Sequence, residues 1–328
     1  MSAALPIVPP DLRPAWPVEI AGDCVRAKLI ELLGMGAIPD EVDFATAGVH
    51  ETDGLRATKL TYANSLGETV PAVLIEPLES AEPERPGIVC VPGTGGSADG
   101  VAHPEFRKTR DGSLIGWGCE LARRGFTALA ISPKGSKARR RSIEHWALEA
   151  KLLAPYGRTQ MGVLVEETLR AARILGATDG VDAGRIGLTG MSLGGNATWY
   201  AMACAPWIAA GAPICGGVGS LAHVIHYGDP ERHSAYFYVP GLLRHFDHSR
   251  IVAACMPPRP FMMVSPTRDE DMPRAGVEAF VPVVREAYAA ARCEERFAIH
   301  QPEGNHQFLE EYFKWMADWF DRFLLKRT

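Results

Sequence analysis

The chain has 328 residues, 47% of them hydrophobic and 22% charged, fractions that exclude a disordered chain, a collagen-like fibre and a coiled coil. Its formal charge of −5 supplies no basic field for nucleic acid or an anionic membrane. The 33 glycines point to many tight turns and close backbone approaches.

Residues 1–19 are a Pro-rich arm without the charged start and apolar run of a signal peptide. No stretch reaches the roughly 18 consecutive apolar residues of a membrane span, so none is expected. A helical pattern over 20–35 stops at Gly34 and Gly36. RATKLTYAN and ETVPAVLIEP then alternate around an SLGE turn and predict an antiparallel hairpin. From there the rhythm is strand–helix–strand. PGIVCVPG (86–93) is a buried strand, a helix follows over roughly 112–124, and FTALAISP (126–133) is the next strand. An amphipathic helix near 158–175 carries Met161, Leu164, Val165, Leu169 and Ile174 at helical spacing. Strands are expected at 185–192, 207–217, 259–266 and 296–302, and an amphipathic helix with Phe308, Tyr312, Phe313, Met316, Trp319, Phe320 and Phe323 on one stripe closes the chain.

Non-alternating strands separated by helices mean an α/β fold with a mostly parallel, doubly wound sheet; the hairpin makes it mixed. The stretch 218–256 is too long for an αβ connection and reads as a cap insertion. About 270 residues suit one catalytic domain (55–328), leaving 1–54 as an N-terminal arm and helix, too short for a second domain. Seven dispersed cysteines (Cys24, Cys90, Cys119, Cys204, Cys215, Cys255, Cys293) without a CxxC pair read as reduced, buried thiols in a cytoplasmic protein.

The sharpest motif is Gly190-Met191-Ser192-Leu193-Gly194, which begins as the strand RIGLTG ends and precedes the helix GNATWYAMACA. That strand–turn–helix setting is what a nucleophile elbow requires: small flanking residues let the chain turn tightly and expose the serine hydroxyl above the sheet. A hydroxyl attacks only when a base takes its proton, so a histidine is needed, oriented by a carboxylate. His306 follows the final strand in EGNHQF, while His300, inside that strand, competes for the role and reads as structural. Asp269 falls soonest after the strand RPFMMVSP, with Asp271 in reserve. The order Ser192, Asp269, His306 is the one this architecture uses. The developing oxyanion needs two backbone donors: Leu193 N–H, next to the nucleophile, and Thr94 N–H from the loop PGTGGS, with Gly95 as its alternative. That loop completes neither G-x-G-x-x-G nor GK[ST], which argues against a nucleotide loop.

On these residues the chain resembles the α/β-hydrolase fold, closest to the dienelactone-hydrolase-like and acetyl-xylan-esterase-like branch of serine esterases. The likeness spans about 55–327 and rests on PGTGG, ISPKG, GMSLGG, APICGG, PPRPFMMVSPTRDEDMP and GNHQF. Dienelactone hydrolases carry cysteine where this chain has Ser192, the histidine of an HG oxyanion loop is Pro92 here, and RGQ and HE signatures are missing. The resemblance implies hydrolysis of a small-molecule carboxylic ester through an acyl-enzyme, with no cofactor, nucleic acid or membrane partner. An amidase with the same triad, a His-metal hydrolase and a non-catalytic binding protein stay open as alternatives, as does the oligomeric state.

Within 218–256, His223, His226, Tyr227, Tyr236 and Tyr238 are candidate substrate-binding residues, with His233, His245, His248, Phe237 and Phe246 beside them. The histidine pairs three apart would suit zinc on a helix, yet an uncharged polar and aromatic pocket lining is the preferred reading, with no metal. Lys134, Lys137, Arg139, Arg140 and Arg141 form the one basic run, read as a solvated loop that could also attract an anion.

Overall fold

Both faces of the central strands are apolar, so each must be covered. On β4 (Arg85–Val91), Val89 and Val91 enter one buried cluster while Ile88 and Cys90 enter another. A computed structural model describes residues 21–80, 82–139, 143–229 and 232–326. The Pro-rich arm, Arg140 and Arg141 lie outside the described residues.

In chain order, α1 (Gly22–Leu33) precedes an antiparallel meander of β1 (Phe44–Thr52), β2 (Leu55–Ala63) and β3 (Thr69–Pro77). After β4 come α2 (Ala98–Val101) and a small hairpin, β5 (Arg107–Lys108) with β6 (Leu114–Ile115). Next are α3 (Trp117–Arg123), β7 (Thr127–Ile131), α4 (Ile143–Leu153) and α5 (Gln160–Gly176). Then β8 (Val181–Met191), α6 (Leu193–Cys204), β9 (Ala210–Ile214), α7 (Leu221–Tyr227) and α8 (His248–Cys255) follow. The chain finishes with β10 (Phe261–Val264), α9 (Arg274–Ala290), β11 (Phe297–His300) and α10 (Glu310–Leu324).

Among the described residues, nine strands form one sheet in the order β1-β2-β3-β7-β4-β8-β9-β10-β11. From β7 to β11 neighbours run parallel, and β1, β2, β3 and β7 pair antiparallel. Helices α1, α5, α6, α8 and α9 fill the cluster on one face; α3 and α10 fill the other. This is the doubly wound, mixed sheet that the strand pattern predicts. No helix among the described residues is long and apolar enough to cross a membrane.

Three differences from the sequence reading have physical causes. The strand β1 was not foreseen: Phe44 to Glu51 are all exposed on the sheet edge, so no burial pattern marks it. It pairs with β2 across the turn at Asp53 and Gly54, so the sheet runs across residue 54. The helix expected over 112–124 is α3 alone, shortened by β6 and by Gly116, whose φ of 75° and 2.2 Å approach to the Glu105 carbonyl (from a Cβ placed there) demand glycine. Helix α9 carries Pro282 inside it, a residue that reads as a breaker, although Val277, Phe280, Val281, Val284 and Tyr288 bury a helical stripe. All seven cysteines are free thiols; Cys24 is exposed and the other six are buried.

Candidate active site

The turn after β8 is built by steric exclusion. A Cβ on Gly190 would stand 2.4 Å from the Val91 oxygen, and one on Gly194 only 1.9 Å from the same atom. A Cβ on Gly195 would meet the Gly216 Cα at 2.6 Å. Only glycine lets the helix α6 start so close to β4. Ser192 sits at the apex with φ 54° and ψ −116°, a left-handed conformation that costs a side-chain residue about 1–3 kcal/mol. Its N–H donates to the Ile214 oxygen at 2.9 Å, and its carbonyl accepts the first bond of α6, from Asn196 N–H at 2.9 Å.

The structure brings Ser192, His306 and Asp269 into one hydrogen-bonded line. His306 Nε2 lies 2.9 Å from Ser192 Oγ, and Nδ1 lies 2.8 Å from Asp269 Oδ1. The Asp269 side chain is 2% exposed and that of His306 13% exposed, so water screens the pair weakly. His300 is elsewhere, stacked on Trp315 with ring centroids 4.3 Å apart.

The other two acids of the loop have separate tasks. Glu270 Oε2 accepts the backbone N–H of His306 at 3.0 Å, which lowers the Glu270 carboxyl below its ordinary range and ties the acidic loop to the histidine loop. Thr267 and Arg268 N–H groups donate to the Pro302 and Gly304 oxygens, both at 2.9 Å, and complete that seam. Asp271 Oδ2 lies 3.2 Å from His306 Nε2, on the serine side of the ring, while its Oδ1 accepts from Arg232 Nε at 2.7 Å. Burial pushes His306 down, but the Asp269 hydrogen bond and charge, with the Asp271 charge, outweigh it and leave His306 above its ordinary value of 6.5.

Leu193 opens α6, so its N–H has no intrahelical acceptor. Across from it, Thr94 lines the cavity, whereas Gly95 N–H already donates to the Gly135 oxygen at 3.1 Å. That bond removes Gly95 as the alternative donor.

Ser192 opens into a cavity of about 640 Å³. Its walls come from the β5–β6 hairpin (Lys108, Asp111, Ser113, Leu114), from Trp117 and Phe308, from Trp146 on α4, and from Arg232, His233, Ser234 and Tyr236. Trp146 Nε1 donates to Ser234 Oγ at 2.8 Å, which locks α4 to that last segment. Tyr236 is the sequence candidate that reaches the cavity. His223, His226, Tyr227 and Tyr238 do not line it: α7 turns its histidines away, His223 Nδ1 meets Ser220 Oγ at 2.8 Å, and Tyr227 is 74% exposed. His233 takes their place, stacked on Phe237 at 3.8 Å, with Nε2 2.5 Å from the Asp271 carbonyl oxygen. The sequence carried no motif for Trp146, Arg232 or the small hairpin.

Two of the histidines weighed as zinc ligands, His223 and His248, are engaged elsewhere. His248 is buried against Tyr200 Oη at 3.1 Å and the Gly219 oxygen at 3.0 Å, and Asp247 accepts from Leu221 and His248 N–H groups, both at 2.7 Å. Among the described residues, the side chains that could converge on a metal ion are Cys215, Asp269 and His306. In the basic run Lys137 is exposed, as a solvated loop would have it, but Lys134 and Arg139 are not. Lys134 and Arg139 side chains are 6% and 8% exposed; half-buried Glu68 pairs with both, and buried Glu167 with Arg139.

A mostly parallel, doubly wound sheet with a serine on a glycine-walled turn after its central strand is the α/β-hydrolase fold, and the chain has that fold. Its likeness to particular proteins is more distant. YtaP of Bacillus subtilis (strain 168), assigned provisionally as a hydrolase, is 26% identical over 289 residues, covering 86% of this chain and 92% of that one. A Bacteroides fragilis NCTC 9343 structure, assigned provisionally as an acetyl xylan esterase, superposes with a TM-score of 0.70 at 16% identity, covering 93% of this chain and 86% of its own. A glucuronoyl esterase from Solibacter usitatus gives 0.67 at 15% identity over 90% and 91% of the two chains. An acetyl xylan esterase from Paenibacillus sp. R4 gives 0.65 at 15% identity over 96% and 98%. No protein-family profile matches the chain.

Proposed function

We propose that the protein is a serine hydrolase that cleaves a small-molecule carboxylic ester through an acyl-enzyme. The observation that carries this reading is the unbroken line Ser192 Oγ–His306–Asp269, at 2.9 and 2.8 Å, facing a cavity of about 640 Å³. Ser192 attacks the carbonyl carbon as His306 Nε2 takes its proton. Asp269 holds Nδ1–H in place and stabilises the imidazolium. Leu193 and Thr94 N–H groups receive the oxyanion, each such donor contributing about 3 kcal/mol to the transition state. His306 then protonates the leaving alcohol, and water repeats the sequence on the acyl-enzyme. Ester cleavage, rather than amide cleavage, is supported by structural neighbours named as acetyl xylan and glucuronoyl esterases on the same fold.

The test is hydrolysis of nitrophenyl acetate by Ser192→Ala. Turnover is expected to disappear while the melting temperature stays close to that of the parent protein; retained turnover overturns the assignment.

A further inference from the structure

We propose that the ion cluster of buried Glu167, Arg139 and Lys134 with half-buried Glu68 is a positioning device for the oxyanion loop, an inference that rests on the ester-hydrolase reading above. The connection can be followed bond by bond. Thr94 is next to Gly95, whose N–H donates to the Gly135 oxygen at 3.1 Å; Gly95 and Ser136 form a parallel bridge. Four residues after Thr94, Ala98 N–H donates to Ser132 Oγ at 2.9 Å. The oxyanion loop therefore hangs from the segment 132–137 that follows β7. The same segment lies against the Leu193 side chain: a Cβ on Gly135 would stand 3.1 Å from Leu193 Cδ1.

That segment is in turn held from below. Glu167, on α5, has a fully buried side chain. Its Oε2 accepts Lys134 N–H at 2.8 Å, and its Oε1 accepts Arg139 Nη1 at 2.8 Å and Asn64 Nδ2 at 2.9 Å. Arg139 Nη1 also donates to the Ser132 carbonyl at 3.2 Å. Glu68 receives Lys134 Nζ at 2.7 and 2.8 Å and Arg139 Nη2 at 3.2 Å. Buried ion pairs are a poor source of stability, because desolvation offsets their attraction. What this one defines is a single place for the Lys134 and Ser132 backbone, and through Gly135 for Thr94. A loop displaced by about 1 Å from its productive position loses on the order of 100-fold in rate.

The variant is Glu167→Gln, which sets an amide donor among three donors. The readout is the rate ratio between an oxo ester and its thiono analogue, whose sulfur accepts hydrogen bonds weakly and draws little from an oxyanion hole. The oxo-ester kcat is expected to fall about tenfold or more with KM unchanged, the thiono-ester rate to stay within about twofold, and the acid limb of the pH profile to stay in place. Equal losses on both esters, or no loss on either, overturn the proposal. Arg139→Lys keeps the charge but loses the fork, and is expected to lower the same ratio; it decides the matter should the glutamine variant fail to fold. As a control, Arg185→Gln breaks the ion cluster with Asp182 and Glu82 near the opposite end of β8, and is expected to lower stability with the ratio unchanged. Ser192→Ala on both esters separates the two claims. Its continued turnover would defeat the ester-hydrolase reading. Serine-dependent turnover with an unaltered ratio in Glu167→Gln defeats the positioning role alone.

Discussion

Two glycine-rich turns follow the neighbouring parallel strands β4 and β8, and opposite means hold them. The elbow at 190–195 is fixed by steric exclusion, since any side chain on Gly190 or Gly194 strikes the Val91 carbonyl of β4. The loop at 92–97, to which the proposed mechanism assigns an oxyanion donor, is suspended from Gly135 and from Ser132 Oγ, which stand more than 30 residues further along the chain. The glycines that permit a turn of the first kind stand within six consecutive residues. A turn of the second kind is assembled from distant ones, so its geometry depends on charges buried well away from the reacting atoms.

The acidic loop extends the comparison, being held by the histidine loop through Glu270, Thr267 and Arg268. Its largest test is Asp269→Asn, expected to lower kcat by about 10⁴-fold because the histidine loses the partner that sets its tautomer. Asp271→Asn is expected to cost far less, since Nδ1 keeps Asp269; the reverse order would transfer the role to Asp271. Gly194→Ala comes next. With a Cβ 1.9 Å from a backbone oxygen, it is expected to destabilise the protein by about 3 kcal/mol or more, read as a lower denaturant midpoint. A variant of unchanged stability would show that the elbow is not sterically fixed.

The hydrogen-bonded line of Ser192, His306 and Asp269 was legible because each of the three carries a local signal. Ser192 is announced by its glycines, and Asp269 and His306 follow the last two strands, buried β10 and half-buried β11. Asp271 illustrates what was not local: the sequence offered it as a substitute for Asp269, whereas the fold sets both acids on opposite nitrogens of one ring. The parallel core was readable from its apolar runs, but β1 and α9 were not, the first lacking burial and the second carrying Pro282. The pocket wall was the least legible part. Trp146 and Tyr236 meet only after folding, with ring centroids 5.9 Å apart, and no spacing in the chain records it.

Smaller effects sharpen the contrast. His306 acts as a base only when neutral, so kcat/KM is expected to fall as pH drops through a midpoint above 6.5. In Asp271→Asn, which removes a negative charge beside Nε2, that limb is expected to move to lower pH; an unmoved limb would show that Asp271 does not reach the ring. Smallest of all, Ser132→Ala removes one acceptor under the oxyanion loop. It is expected to cost about 1 kcal/mol of stability and a smaller part of the oxo-to-thiono ratio than Glu167→Gln.

Covalent labelling with a fluorophosphonate, mapped by peptide mass spectrometry, tests the central claim most directly. One adduct is expected, on the peptide carrying Ser192, with loss of ester hydrolysis in proportion to labelling and no adduct in Ser192→Ala. Ester hydrolysis that continues undiminished with Ser192 fully labelled would contradict the account.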